Sequence, residues 1–279
     1  MNRKFIKESL IGSLLGACFT LAAYQFIDQD TLSKIFASDN PLVILISVVL
    51  AVFLAIAIHE FGHIFFGIIQ GFKVELFVVG FFGIIRKDGK LKFFLNKDLQ
   101  YFGGVAATSP TKKHKDIRKN FAWIVAGGPL FSLLLGLGLI LTFTLQDNYL
   151  LNAFLVFTGF ISLALFLATT LPEKSGSFFT DRKRLQRLLD KGQDGKVELA
   201  LLESINQNFV DGHCQNIRSE NLAIIKTAKE PFIQFWGYYF ELQQQKDKGI
   251  ESPDESILTK LKSYEKDFPK AAWKSFGIE

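Results

Sequence analysis

Apolar and polar residues fall into long separate blocks along this chain. Pro41 to Ile58, Phe121 to Gln146 and Leu150 to Pro172 contain no charged residue. At about 1.5 Å per residue, each run can cross roughly 30 Å of hydrocarbon as a helix. A further apolar stretch, Ser9 to Ile27, follows Arg3, Lys4 and Lys7. A basic leader of that kind also opens a cleaved signal peptide. The run is long for a signal core, and no small-x-small cleavage site stands between Tyr24 and Ser33, so a retained first helix is the better reading. Gly12 and Gly16 would suit close helix contact, although glycine is common in membrane helices. The pattern predicts four spans: Ser9–Ile27, Pro41–Gln70, Phe121–Leu145 and Tyr149–Leu171. The last two are joined by a short turn, Gln146–Asn148.

The 71–120 segment has a different texture. Phe72 to Ile85 is apolar and rich in β-branched and aromatic residues, but too short for a comfortable span. Lys87-Asp88-Gly89-Lys90 reads as a tight turn and Leu91 to Leu95 as a return strand. A hairpin in or beside the membrane follows, its backbone satisfied internally or lining a protected cavity. From Arg182 onward the pattern is that of a soluble helical tail. Candidate helices are Arg182–Lys191, Lys196–Asn208, Glu220–Lys229, Pro231–Lys248 and Pro253–Lys266, the last with Ser252 as N-cap and Glu255 three residues later. The Phe235-Trp236-Gly237-Tyr238-Tyr239 run reads as the core of that tail or, less simply, as a partner surface. The expected fold class is an all-α integral membrane protein with about four transmembrane helices, a small membrane-associated β-hairpin and a helical cytoplasmic tail. Its units are 1–40 (first helix and outer loop), 41–181 (membrane core) and 182–279 (tail).

Charge then orients the chain. The net charge is +5, but the surplus is local: residues 71–120 carry 11 Lys/Arg against 4 Asp/Glu, and residues 172–279 carry 17 of each. Basic residues between spans mark the cytoplasmic side, so topology accounts for them and a nucleic-acid partner is not needed. Both termini are expected in the cytoplasm, with the acidic 28–40 loop outside. The Lys- and Phe-rich composition suggests a bacterial plasma-membrane protein. Cys18 and Cys214 are too few and too far apart for a disulfide framework or a cysteine zinc site.

His59-Glu60-Phe61-Gly62-His63 carries the chemistry. Positions i and i+4 put both imidazoles on one side of a helix, the arrangement zinc needs from two nitrogen ligands. Glu60 stands on the flank of the site, where it can take a proton from an activated water and return it to a leaving amine. With 4 histidines in the chain, a chance match is of order a few per thousand. Two histidines and a glutamate inside a span are also costly unless they serve a purpose. His59 lies about 27 Å along the helix from Pro41, inside the hydrocarbon zone near its cytoplasmic boundary. His114, in a basic run, reads as solvated or close to headgroups. His213 beside Cys214 is a weak metal pair.

That motif on a membrane helix resembles the site-2 protease family of intramembrane metalloproteases. Gly127-Gly128-Pro129-Leu130 is similar to the family's Gly-Pro motif, and Leu171-Pro172 with Thr180-Asp181 is similar to the segment that supplies its third zinc ligand. Gly80 and Gly83 suit the family's membrane-associated sheet. The resemblance spans roughly residues 41–185. It implies Zn²⁺ held by His59, His63 and Asp181, with Glu60 as catalytic base and acid. The substrate would be a membrane protein or peptide, cut in or next to the bilayer. Two positions depart from the family pattern: Ser132 stands where an asparagine is usual, and Arg182 where a glycine follows the aspartate. Asp181 also suits a helix N-cap, and Glu173 is the other carboxylate close by. A catalytically weak or inactive relative, acting as a membrane peptide-binding or accessory factor, is the competing reading. A transporter would need polar groups spread over several spans, which the later spans lack. The sequence leaves the oligomeric state open.

Overall fold

A computed structural model of the protein describes residues 41–142, 149–171, 174–175, 178–250, 254–268, 273 and 276–278. Helix α1 (Pro41–Ile69) opens the described chain. Its outward side chains are apolar, with Leu42, Leu45, Ile46, Val49 and Leu50 exposed, while Ala51 and Ala55 are fully buried against its neighbours. Helices α2 (Ile117–Thr142) and α3 (Tyr149–Thr170) pack against α1 and against each other. Small residues permit this. A Cβ added at Gly62 or at Gly127 would fall inside the other's backbone, so α1 and α2 cross there at close range.

Among the described residues two helices are long and apolar enough to cross a membrane, over Leu42–Ile69 and Ile117–Leu141. The apolar stretch described in α3, Phe154–Thr170, is shorter. The expected first span and the Gln146–Asn148 turn lie outside the described residues. Helix α2 begins at Ile117, ahead of the expected Phe121. Arg118 is therefore a helix residue, and it donates to the carbonyls of Asp190 and Gly195.

The expected hairpin holds three strands of a four-stranded antiparallel sheet, and the all-α expectation is corrected to that extent. Phe72–Ile85 is two strands, β1 (Phe72–Val79) and β2 (Phe82–Lys87), because the chain reverses at Gly80-Phe81. Strand β3 (Lys90–Leu95) pairs with β2, and β4 (Val105–Pro110) pairs with the far side of β1, giving the order β3-β2-β1-β4. Phe82, Ile84, Leu91, Phe93 and Leu95 share one face of β2 and β3 and are exposed, an apolar face of the kind that seats against lipid or protein. At the opposite edge of the sheet, β4 lies beside α1.

After α3, a two-residue ladder of β5 (Lys174–Ser175) and β6 (Phe178–Phe179) leads into α4 (Asp181–Leu189). Helices α5 (Gln193–Asp211), α6 (Ser219–Lys226), α7 (Pro231–Asp247) and α8 (Glu255–Lys262) complete the tail. Asp254, whose side chain accepts from the Ser256 N–H, caps α8, and the expected cap Ser252 lies outside the described residues. Phe235 is fully buried in an aromatic cluster with Leu242, Ile257 and Leu261, so the aromatic run is core. The tail does not stand apart from the helices before it. Leu188 and Leu202 share one hydrophobic cluster with Phe72, Ile117, Ile124 and Val125.

A polar joint reinforces that contact. Arg187 is 2% exposed and donates to Glu198, which Arg184 also reaches; Asp194 and Glu230 surround the same guanidinium. The network ties α4 to α5 and to the start of α7.

Candidate metal centre

Two turns of α1 present His59 and His63 on the side facing α2 and α4, with their rings 5.1 Å apart and edge to face. The His63 Nδ1–H donates to the carbonyl of Ile124 at 2.8 Å. A carbonyl only accepts, so the proton is fixed on Nδ1 and the Nε2 lone pair points into the site. His59 Nδ1 lies 2.9 Å from Ser132 Oγ, which is fully buried on α2. The serine hydroxyl accepts from Nδ1–H when Nε2 is the ligand, and the two outer contacts thus aim both rings the same way.

The third donor is a carboxylate that arrives from a distant part of the chain. Asp181 Oδ2 is 3.2 Å from His59 Nε2, and Oδ1 is 3.6 Å from His63 Nε2. Ligand atoms about 2.0–2.2 Å from one tetrahedral ion lie about 3.3–3.6 Å apart, so these separations suit a shared cation. The three ligand atoms lie within 4.8 Å of one another, the one such His/Cys/Asp/Glu group among the described residues. Thr180, not Asp181, is the N-cap of α4: its side chain accepts from the Lys183 N–H. Asp181 occupies the first helical position and is free of the cap role. Arg182 is exposed to solvent. Glu173, the other carboxylate considered, lies outside the described residues.

Glu60 is nearly buried beside the histidines. Gly104 lies over it at a positive φ of 97°, where a Cβ would sit 2.6 Å from Glu60 Oε1. The Ala106 N–H of β4 faces the same carboxylate. Gly128 has a comparable role on the other side. A Cβ there would lie 2.9 Å from His59 Nε2 and closer still to His63 Nε2. The Gly-Gly-Pro motif is therefore a contact surface: Gly127 lets the helices close, and Gly128 leaves room at the ligand tips.

A cavity of about 620 Å³ opens from the three ligands and Glu60. Strand β4 forms one wall with Val105 to Thr108, and α5 contributes Leu202, Ile205 and Asn206. A sequence model of peptidase family M50 matches residues 47–259, from within α1 to within α8. The chain belongs to peptidase family M50. Comparison with curated proteins and with solved structures returned no match. M50 peptidases are membrane metalloproteases, the site-2 protease family that the motifs resemble. In this M50 chain the histidine pair and the aspartate form a possible metal site.

His213 and Cys214 make no second centre. The Cys214 thiol is buried and donates to Asn208, and its amide donates to Asp247. His114 is half-buried and stacks on Phe72 with ring centres 4.6 Å apart. Sequence reasoning missed Gly104 and the α5 residues, took Gly128 only as part of the Gly-Pro motif, and read Ser132 only as a departure from the family pattern. One signal was available: Gly128 and Ser132 are four residues apart, so both face the histidines from one side of α2.

Proposed function

We propose that this chain is an intramembrane zinc endopeptidase that hydrolyses peptide bonds in or next to membrane segments of a protein or peptide substrate. The observation that carries the reading is the meeting of His59, His63 and Asp181 beside Glu60 on a helix whose outer face is apolar. When bound, Zn²⁺ supplies a Lewis acid that polarises the scissile carbonyl and acidifies a water. Glu60 takes the proton of the attacking water on its carboxylate and delivers it to the departing amine. Ser132 and the Ile124 carbonyl hold the imidazoles in the tautomer that ligates. The cavity admits an unwound segment, and the outer edge of β4 offers it backbone partners as an added strand.

The same reading keeps four spans in a bacterial plasma membrane, with both termini cytoplasmic and the β2–β3 apolar face against lipid. The inactive-relative reading rested on Ser132 and Arg182. Against it, Ser132 is the partner of His59 and Arg182 is exposed to solvent. The test is a set of three proteins purified in detergent. The parent should carry one zinc and cut a membrane substrate. Glu60→Gln should keep the zinc and lose cleavage, and His59→Ala should lose both. Full cleavage by Glu60→Gln refutes the mechanism, and a parent without zinc refutes the reading.

A further inference from the structure

The tail helix α5 reaches the reaction cavity, and one of its buried polar atoms there lacks a partner. Asn206 is 8% exposed, lines the cavity, and its Oδ1 has no hydrogen-bond partner. An unmet amide oxygen in so buried a position is unfavourable unless something docks against it. A second cavity of about 370 Å³ adjoins the first, and Ile117 and Asn206 line both. His114 also lines it. Asn120 donates to His114 Nδ1, and burial together with Lys112 holds the imidazole pKa below its ordinary value. The neutral ring then carries its proton on Nε2, which likewise has no partner. One unmet acceptor and one unmet donor are what the alternating groups of an extended backbone would satisfy.

The two cavities differ in character. The first is walled by β4, Leu202 and Ile205 and is largely apolar beyond the ligands. The second is lined by Lys113, Lys115, Arg118 and Arg218 against Asp116 and Glu203. Arg218 is paired with Glu203, Arg118 is engaged by two carbonyls and Lys113 lies 3.9 Å from Asp211, which leaves the exposed Lys115 as the cation of this lining without a carboxylate partner among the described residues.

We propose that α5 completes the substrate cleft opposite β4, and that this cleft takes an extended peptide, apolar beside the metal ligands and acidic beyond Asn206. The proposal rests on the peptidase reading. Leu202 and Ile205 contact apolar side chains, Asn206 and His114 bond the backbone, and Lys115 attracts the acidic end. The tail is thereby a part of substrate selection.

Two fluorescent decapeptides with the same apolar half, one ending Glu-Asp-Glu and one Lys-Arg-Lys, test this on the full-length Glu60→Gln protein. The acidic peptide should bind roughly tenfold more tightly, and added salt should erase the difference. Asn206→Ala should weaken both peptides about fivefold. Lys115→Glu should abolish the preference. A photo-leucine version of the acidic peptide should label Leu202 or Ile205. Unchanged affinity in Asn206→Ala, labelling confined to β4, or no saturable binding overturns the proposal. Hydrolysis separates the two readings. An acidic peptide that binds as expected but is left uncut by the parent sinks the peptidase reading alone, and one cut by Asn206→Ala with unchanged KM sinks this one alone.

Discussion

Replacing Gly128 with alanine should weaken metal binding with no gain in fold stability, because crowding of the buried imidazoles offsets any gain in helix propensity. Gly128 lies inside α2, where alanine normally exceeds glycine in helix stability by roughly 0.5–1 kcal/mol. The new methyl, however, would lie 2.9 Å from His59 Nε2 and nearer to His63 Nε2. Carbon and nitrogen rest in contact at about 3.5 Å, so the imidazoles must retreat by at least about half an ångström. Metal sites tolerate displacements of about 0.2 Å. Zinc affinity should fall by at least the 10–100-fold seen when outer contacts of ligands are lost, about 1.4–2.7 kcal/mol. Competition with a chromophoric chelator reads the affinity, and thermal unfolding of the metal-free protein in detergent reads the fold. Gly138→Ala is the control, since a methyl there meets nothing within 4 Å. Parent-like zinc affinity in Gly128→Ala would refute the assignment of the site. Equal loss in Gly138→Ala would show a general helix effect.

Three further predictions probe the supports of the site. Ser132→Ala removes the partner of His59 Nδ1 and should cost about 10–100-fold in zinc affinity with little change in unfolding temperature, measured by the same chelator competition. Arg187→Met leaves Glu198, Asp194 and Glu230 clustered without their shared cation and should destabilise by about 3–5 kcal/mol, read as a lowered denaturant midpoint. Burial pushes the Cys214 thiol from 9.0 up to about 11, with Asp247 adding to the effect. The folded state therefore holds that proton more tightly than the unfolded one, and stability from this group should fall as pH rises from about 9 through 11. In a Cys18→Ser background, maleimide should label Cys214 at pH 8 only after unfolding; rapid labelling of the native protein would contradict its burial.

How much of this could be read from the chain follows from how local each signal is. The ligand pair of α1 is separated by one helical turn, so spacing alone reveals it. The apolar runs of α1 and α2 are similarly self-evident, since length against bilayer thickness needs no partner. Strand β4 was missed because Val105-Ala106-Ala107-Thr108-Ser109-Pro110 is made mostly of small residues and ends in proline. Its strandedness comes from pairing with β1, about 30 residues upstream. The break between β1 and β2 was hidden because apolar residues continue through Gly80-Phe81 without a polar turn. The start of α2 was placed late because Arg118 and Lys119 look like loop, whereas Arg118 reaches carbonyls on the tail. Ser132 and His59 are 73 residues apart, and no periodicity links them. Asp181 needed the family motif, because its partners lie on α1 and its placement depends on packing of α4.

The joint between α4 and α5 gives the protein an order of assembly. His59 and His63 enter with α1, but the third donor is the first residue of a helix that Leu188 and the Arg187–Glu198 pair hold in place. Until the segment after residue 181 has folded onto the base of α2, the centre has two ligands in place of three. On the peptidase reading, a newly made chain is therefore without a complete centre until α4 and α5 have been made and packed.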